Sequence, residues 1–483
     1  MLSGLLPVLG VVLMLFSVTM LVPLGFSWVL QDGALAAHAS AAGLTLGAGL
    51  LMWLAGRRHR RELRARDGFL LVALVWTLLP AAGTLPLMLQ LPDLSFTDAY
   101  FEAVSGLTTT GSTVLTGLER LPVSLNVWRC LMVLVGGLGI IVLAVAVLPL
   151  LGVGGSQLYK AESAGPMKDE KLTPRMAETA RGLWGVYAVT AAVCCVAYHL
   201  AGMSWVDAFL HMCSTMGLGG FSSYDASFGA FDSPAIEAVA ILFMTMAGIN
   251  FALYFVAVRK RSLAVVWRDV EARVYLLVMA VSVAVVTLFL MAHRVYPDGL
   301  TALRHAAFNV VSIATTTGFA SVDYAQWPVF APALMLVLCS FATCAGSTGG
   351  GIKLIRSLLL LKQAQRELVR IVHPRAVVPV TLDGRLVPAQ VLASVIAYML
   401  AYGAVNLLAS FVLMASGLDL VTSVTAVIAS VNNTGPGLGQ VGPAGNYQGL
   451  TDLQTWVCTV CMLLGRLEIL SLLVLLTPQF WRR

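Results

Sequence analysis

Four times along the chain a short apolar segment ends in a small polar run and a glycine: TDAYFEAVSGLTTTGST (97–113), VDAFLHMCSTMGLGGFS (206–222), LRHAAFNVVSIATTTGFAS (303–321) and VTSVTAVIASVNNTGPG (421–437). Aligned on Gly111, Gly220, Gly318 and Gly435 they read TTTG, GLGG, TTTG and NNTG, with Ser105, Ser214, Ser312 and Ala429 six positions upstream. Each lies between two longer apolar runs. A helix of about 12 residues is only ~18 Å long and cannot cross ~30 Å of hydrocarbon, so such a segment must dip into the membrane and return. Backbone with unpaired N–H and C=O groups survives at that depth only inside protein or beside a watery cavity. One copy alone reads equally well as a helix cap or an external loop. Four copies at one topological position read as an internal repeat with a function, and that repeat governs the architecture.

The longer runs fall near 3–30, 38–55, 69–90, 126–150, 182–202, 235–258, 272–293, 330–360, 388–415 and 452–478, ten in all. With 58% hydrophobic and 11% charged residues, against ~25% charged in soluble domains, the chain is read as an integral membrane protein. The first run has no basic leader and no convincing cleavage site, so it is read as a true helix rather than a signal peptide. Lys and Arg cluster at 57–66, between Lys160 and Arg181, at 259–261 with Arg268 and Arg273, between Arg356 and Arg385, and at Arg482 and Arg483. With a cytoplasmic N-terminus, 24 of the 30 basic residues lie inside, four outside (Arg120, Arg129, Arg294, Arg304), and Lys353 and Arg466 within the membrane. This positive-inside asymmetry puts both termini in the cytoplasm. The net charge of +6 then reports orientation and contact with anionic lipid rather than nucleic acid.

The expected fold is all-α: ten transmembrane helices plus four re-entrant pore helices. A two-helix unit (1–66) precedes four repeats of span, re-entrant helix and span (67–155, 156–262, 263–372 and 373–483), set pseudo-fourfold around one pore. Such a ring suits a cation. Selectivity filters replace an ion's water with rings of backbone carbonyls, which requires several loops to face one axis. Glycine permits the backbone angles that turn carbonyls inward, and threonine hydroxyls add support or further oxygens. The C-terminal end of each re-entrant helix carries partial negative charge and favours a cation at the membrane centre. The candidate filter is Thr109, Thr110 and Gly111; Leu218, Gly219 and Gly220; Thr316, Thr317 and Gly318; and Asn433, Thr434 and Gly435. The second loop departs most from the threonine pattern. Oxygen rings without fixed carboxylates suit a monovalent ion such as potassium better than calcium or magnesium. Glu102, nine residues before Gly111, is read as a structural or entrance group.

Other features are weaker signals. CAGSTGGGIK (344–353) interrupts the eighth run with a stretch that holds a helix poorly; a glycine patch for close helix packing is the alternative. GSTGGGIK (346–353) misses the phosphate-loop spacing by one residue, and GPGLGQVG (435–442) follows no strand, so no nucleotide site is expected. Cys458 and Cys461 form a C-x-x-C without a second ligand pair and are read as a packed helix face. Arg466 and Glu468 are intramembrane charges, which face a protein interior or a pathway.

The four loops, GGLGIIVLAVAVLPLLGVGG (136–155), STMGLGGFSSYDASFGAFDSP (214–234), CAGSTGGGIKLIR (344–356), NNTGPGLG (432–439) and GRLEILSLLVLLTPQFWR (465–482) resemble the bacterial TrkH family of the Trk/Ktr/HKT superfamily of potassium transporters. The likeness covers essentially the whole chain. The resemblance implies a homodimer in the bacterial inner membrane, with one potassium pathway per subunit and no covalent cofactor. It also implies a cytoplasmic ring of TrkA-type regulators that bind NAD or an adenine nucleotide. By the same resemblance, Gly346, Ser347, Thr348, Gly349, Gly350 and Gly351 form an intramembrane gate loop beneath the filter. Lys353 joins that gate or snorkels to the cytoplasmic face, and Arg466 holds the loop closed or is a static buried pair with an acidic partner. Gated, channel-like conduction is the favoured reading. A symporter coupled to protons or sodium is the alternative, and His211 is the one histidine well placed for it unless it is a satisfied structural residue. A membrane-embedded enzyme fits poorly, because no carboxylate cluster or nucleophile with a base is present.

Overall fold

The computed structural model describes residues 2–57, 65–142, 176–382 and 384–482. The basic residues at 58–64, the stretch from Lys160 to Arg175, Arg483 and the expected repeat boundary at 155/156 lie outside the described residues, as does the end of the 126–150 run. Among the described residues, regular structure is helical apart from a strand pair of Thr381–Leu382 with Arg385–Leu386. Among the described residues six helices are long and apolar enough to cross a membrane: Gly4–Leu30, Leu35–Gly56, Arg66–Gln90, Arg181–Leu200, Val270–Ala292 and Ala389–Ala415.

Two runs expected to be continuous are bent instead. Pro234–Ala247 and Phe251–Lys260 meet at 90°, and Asp452–Arg466 and Ile469–Leu476 at 109°, so the count reaches eight only if each bent pair is one span. The run expected at 330–360 is a helix over Phe330–Phe341, a loop, and a helix over Leu354–Val372. Gly248, Ile249 and Asn250 give up the helical ladder: the Gly248 carbonyl accepts from the Cys344 amide at 3.1 Å, and the Phe251 amide donates to the Gly346 carbonyl at 3.1 Å. Asn250 then caps the next helix by accepting from the Ala252 amide at 2.9 Å. Glu468, with φ of 61°, starts Ile469–Leu473 in a conformation that ends a helix rather than continues it.

The four short segments are helices over Phe96–Leu107, Trp205–Gly217, Gly299–Ala314 and Leu420–Val431. Each begins at a side-chain cap that occupies one of the unpaired amides of a first turn. Ser95, Ser204, Asp298 and Asp419 accept from the amides of Asp98, Asp207, Thr301 and Thr422. Most of each short helix is buried, including Phe101, Leu210, Phe308 and Val427. The longer helices press on their C-terminal ends so closely that a methyl group at Gly136 or Gly465 would overlap the carbonyl of Leu107 or Val431.

The N-terminal hairpin is fastened to the first repeat at Asp32, in the turn between its two helices. Its carboxylate accepts from the Ser27 hydroxyl at 2.5 Å, the Ser124 amide at 2.7 Å and the Ala34 amide at 3.2 Å. Burial pushes this carboxyl up, but the hydrogen bonds from Ser27, Ser124 and Ala34 outweigh it and hold it below the usual carboxylate range. A depressed folded-state pKa adds stability that is complete above the unfolded value of ~3.9 and is lost as pH falls through the folded value. Asp32→Ala therefore lowers the thermal midpoint at pH 7 by an amount matching about 1–3 kcal/mol. The gap from the parent protein narrows in unfolding scans taken progressively below pH 4.

Candidate functional site

Each short helix ends in the same way. The carbonyls of Ser105, Ser214, Ser312 and Ala429 accept from the amides of Thr110, Gly219, Thr317 and Thr434, at 2.8, 3.0, 2.8 and 2.9 Å. One residue earlier, Thr109, Leu218, Thr316 and Asn433 donate to Gly106, Thr215, Ile313 and Ser430. This pair of bonds is a Schellman motif, whose left-handed residue is normally glycine. Here it is Thr109 (φ 55°), Leu218 (φ 54°), Thr316 (φ 62°) and Asn433 (φ 53°). For a residue with a Cβ that conformation costs about 1–2 kcal/mol, so four such positions in register mark a shape held by its surroundings. Gly111, Gly318 and Gly435 follow at φ of 82°, 88° and 100°.

The four aligned glycines meet. A methyl group at Gly111 would lie 2.5 Å from the Gly220 amide nitrogen, and one at Gly220 would lie 2.6 Å from the Thr317 carbonyl oxygen. One at Gly318 would overlap the Thr434 carbonyl, and one at Gly435 would lie 2.8 Å from the Thr110 carbonyl oxygen. Each loop touches the next in chain order and the fourth returns to the first, closing a ring. Within it, among the described residues, the carbonyls of Thr109, Thr110, Gly111, Leu218, Gly220, Thr316, Thr317, Gly318, Asn433 and Thr434 accept no hydrogen bond. Gly219 accepts from the Phe221 amide and keeps one lone pair, while Gly435 accepts from both Ser112 and Tyr447 and keeps none. So many unpaired carbonyls in one buried ring call for a partner from outside the chain.

Polar side chains brace the ring from behind. The hydroxyls of Thr108 and Thr110 are 2.7 Å apart, as are those of Thr315 and Thr317. Asn433 donates to the Thr110 hydroxyl at 3.0 Å and to the Met462 carbonyl at 3.0 Å, joining the fourth loop to the first. Glu102 is fully buried and ion-paired with Arg129 at 2.7 Å, and Arg129 is fully buried as well. His211 is also buried. Its Nδ1 is 2.8 Å from the Asp207 carbonyl and its Nε2 3.0 Å from the Ser222 hydroxyl, so both ring nitrogens are engaged.

Residues 342–353 lie against the helix ends that carry the ring. The Thr348 hydroxyl donates to the Met216 carbonyl at 3.0 Å, and the Gly350 amide donates to the Thr316 hydroxyl at 2.8 Å. A methyl group at Gly350 would overlap the Asn432 carbonyl, and one at Gly349 would lie 3.1 Å from that of Thr315. The loop is tied internally by Thr343 to Gly350 and by Ser347 to Cys344, both at 2.7 Å. Glu271 accepts from the amides of Ala345 and Ile355, at the loop's two ends. Gly346 and Gly351 take φ of 75° and 78°. Lys353 turns its ammonium onto the Gly349 carbonyl. Arg466, buried, donates through Nη1 to the Thr348 carbonyl at 2.9 Å. Among the described residues no carboxylate pairs with it, and Glu468 pairs with Arg356 at 2.5 Å.

The TrkH family, described as a cation transport protein, matches residues 37–483. The chain belongs to the TrkH family. It is 45% identical over 476 residues to the Trk system potassium uptake protein TrkH of Salmonella typhimurium, covering 98% of each chain. It is 47% identical to the protein of the same name from Halomonas elongata, over 99% of this chain and 98% of the relative. The crystal structure of the potassium transporter TrkH from Vibrio parahaemolyticus superposes with a TM-score of 0.92 at 43% identity and 99% coverage of both chains. Membership places the chain among transporters and not among enzymes.

Within this TrkH-family chain, the residues aligned by sequence on the four glycines are brought together. Sequence reasoning missed the left-handed residue two places before each glycine: Asn433 is of a type that favours a positive φ, but Thr109, Leu218 and Thr316 are not. It also missed Glu271, whose signal was a second acid, two residues after Asp269, opening an apolar run. Thr348→Val removes the hydroxyl and leaves the Met216 carbonyl unpaired, a change worth about 1–3 kcal/mol. Amides over 345–355 then exchange with deuterium faster than in the parent, as read by mass spectrometry.

Proposed function

We propose that the chain is the potassium-translocating subunit of an inner-membrane uptake system, conducting through the ring of loop carbonyls. The observation that carries this reading is the closed contact Gly111 to Gly220 to Gly318 to Gly435 to Gly111, with its rim of unpaired carbonyls. A potassium ion entering the ring exchanges its water for those oxygens. The ring at Thr109, Leu218, Thr316 and Asn433 is the most complete, since none of its four carbonyls accepts a hydrogen bond among the described residues. In the ring at Thr110, Gly219, Thr317 and Thr434 one oxygen is half engaged, and in the ring at Gly111, Gly220, Gly318 and Gly435 the Gly435 oxygen is fully engaged. The driving force is the membrane potential, ~2.3 kcal/mol per charge for 100 mV.

The same reading makes Gly346 to Gly351, with Lys353, the gate. Thr348 and Gly350 plug into the undersides of the second and third loops, and Arg466 holds the plug through the Thr348 carbonyl. A buried guanidinium beside the pathway also raises the barrier to a cation while the loop is in place. Two subunits, and a cytoplasmic TrkA-type ring binding NAD or an adenine nucleotide, complete the system, with both termini in the cytoplasm. Channel-like conduction is favoured over proton- or sodium-coupled symport because both nitrogens of His211 are taken up by Asp207 and Ser222.

The deciding measurement is the reversal potential of purified protein in liposomes under opposed potassium and sodium gradients. A potential following the potassium gradient is expected; one following neither gradient sinks the proposal. Gly318→Ser puts a side chain on a left-handed residue and against the Thr434 carbonyl. Potassium-limited growth of an uptake-deficient bacterium should then fail while the protein still reaches the membrane. Arg466→Ala should raise flux severalfold in the absence of any regulator, because it removes a charge-assisted hydrogen bond worth about 1.5–3 kcal/mol from the closed loop.

A further inference from the structure

Nine positions before the aligned glycines stand Glu102, His211, Asn309 and Ala426. In three of the four loops this side chain reaches behind the loop and grips the limb that leaves it. Glu102 accepts from the Thr113 hydroxyl and from the Val114 amide at 3.0 Å each. His211 meets the Ser222 hydroxyl at 3.0 Å. Asn309 donates to the Ser321 hydroxyl at 2.9 Å and accepts from the Ser321 amide at 3.2 Å. Ala426 cannot do this, and Thr425, one residue earlier, accepts from the Leu438 amide at 2.8 Å instead. Every outgoing limb is thus strapped to its own helix, by a carboxylate, an imidazole, an amide and a hydroxyl in turn.

The first strap alone is an ion pair, and it reaches two loops. Arg129 donates through Nε to Glu102 at 2.7 Å, both side chains being 0% exposed. Its Nη2 donates to the Thr113 hydroxyl at 3.2 Å, and its Nη1 donates to Asn126 at 3.0 Å and to the Ser222 carbonyl at 3.1 Å. The guanidinium also lies over the Phe221 ring, 4.4 Å from its centroid. Thr113 and Val114 follow Gly111, while Phe221 and Ser222 follow Gly220. One buried pair therefore fixes the outgoing limbs of two adjacent loops relative to each other. The second of these loops is the one whose glycine lacks the left-handed conformation of the other three.

We propose that the Glu102–Arg129 pair is a selectivity-positioning element that sets the spacing between the first two loops without touching the ion. This rests on reading the glycine ring as an alkali-cation filter. Discrimination between potassium and sodium depends on where carbonyls stand and how freely they move. A limb pinned two residues beyond the glycine restricts both. A pair that only stabilised the fold would affect yield and unfolding temperature and leave the ion preference alone.

The test uses full-length protein in liposomes, with potassium and sodium fluxes measured side by side. Glu102→Gln keeps the shape and an acceptor oxygen while removing the charge that Arg129 faces. Thr113→Val leaves the pair intact and removes its link to the limb. The expected result is a potassium-over-sodium preference reduced about tenfold in Glu102→Gln, the scale set by one charged hydrogen bond. A smaller fall in the same direction is expected in Thr113→Val, with potassium flux retained in both. An unchanged preference in both variants, with only a lower unfolding temperature, overturns the proposal. If Glu102→Gln yields no folded protein, Thr113→Val decides alone. Loss of potassium flux in the unaltered protein would instead reject the filter reading, and this inference with it.

Discussion

Backbones of four separate loops approach one another so closely that no Cβ fits between them. Gly111 faces the Gly220 amide, Gly220 the Thr317 carbonyl, Gly318 the Thr434 carbonyl and Gly435 the Thr110 carbonyl. Main-chain contact of this kind would ordinarily be satisfied by a ladder of N–H to C=O bonds, as in a sheet. Here the amides next to the ring are used up by the Schellman bonds back into their own helices, so the carbonyls are left over. The unpaired oxygens are a consequence of how each short helix ends. The rest of the molecule serves to keep four such ends in register: caps at the helix starts, hydroxyl pairs behind the loops, and long helices pressed on the helix ends through glycine.

The helices that follow the loops carry a second repeat, less visible than the first. GGLG (136–139), AGIN (247–250), GGIK (350–353) and GRLE (465–468) occupy matching places. Asn250, Lys353 and Glu468 each stand immediately before the second half of a broken helix, while the helix over Val123–Val142 runs through Gly139 unbroken. The break is widest in the third repeat, where the inserted loop presses on the undersides of the other loops. Glu271 ties both ends of that insertion to a neighbouring helix. Its start is tied to Gly248 and Phe251 through Cys344 and Gly346, and its middle, around Thr348, is held by Met216 and Arg466.

Departures from symmetry are as informative as the symmetry. The position nine residues before the glycine changes from Glu102 to His211, Asn309 and Ala426, yet the task of holding the outgoing limb persists in every repeat. A titratable residue such as His211 attracts a functional reading in sequence, but its neighbours occupy both nitrogens, and its place in the series is that of a brace.

The membrane-spanning helical class, the four short segments and the residues at their ends could be read from local pattern: apolar length, small polar runs and glycine at a fixed place. The caps at Ser95, Ser204, Asp298 and Asp419 are local too, each accepting from an amide three residues on. Tertiary structure alone decided that Thr109, Leu218, Thr316 and Asn433 adopt a left-handed backbone, that two apolar runs bend at Gly248 and Glu468, and that Arg466 meets a carbonyl rather than a carboxylate. Each of those outcomes is imposed by partners distant in the chain. The cost of a strained residue or a buried charge is offset by contacts that no window of neighbouring residues contains.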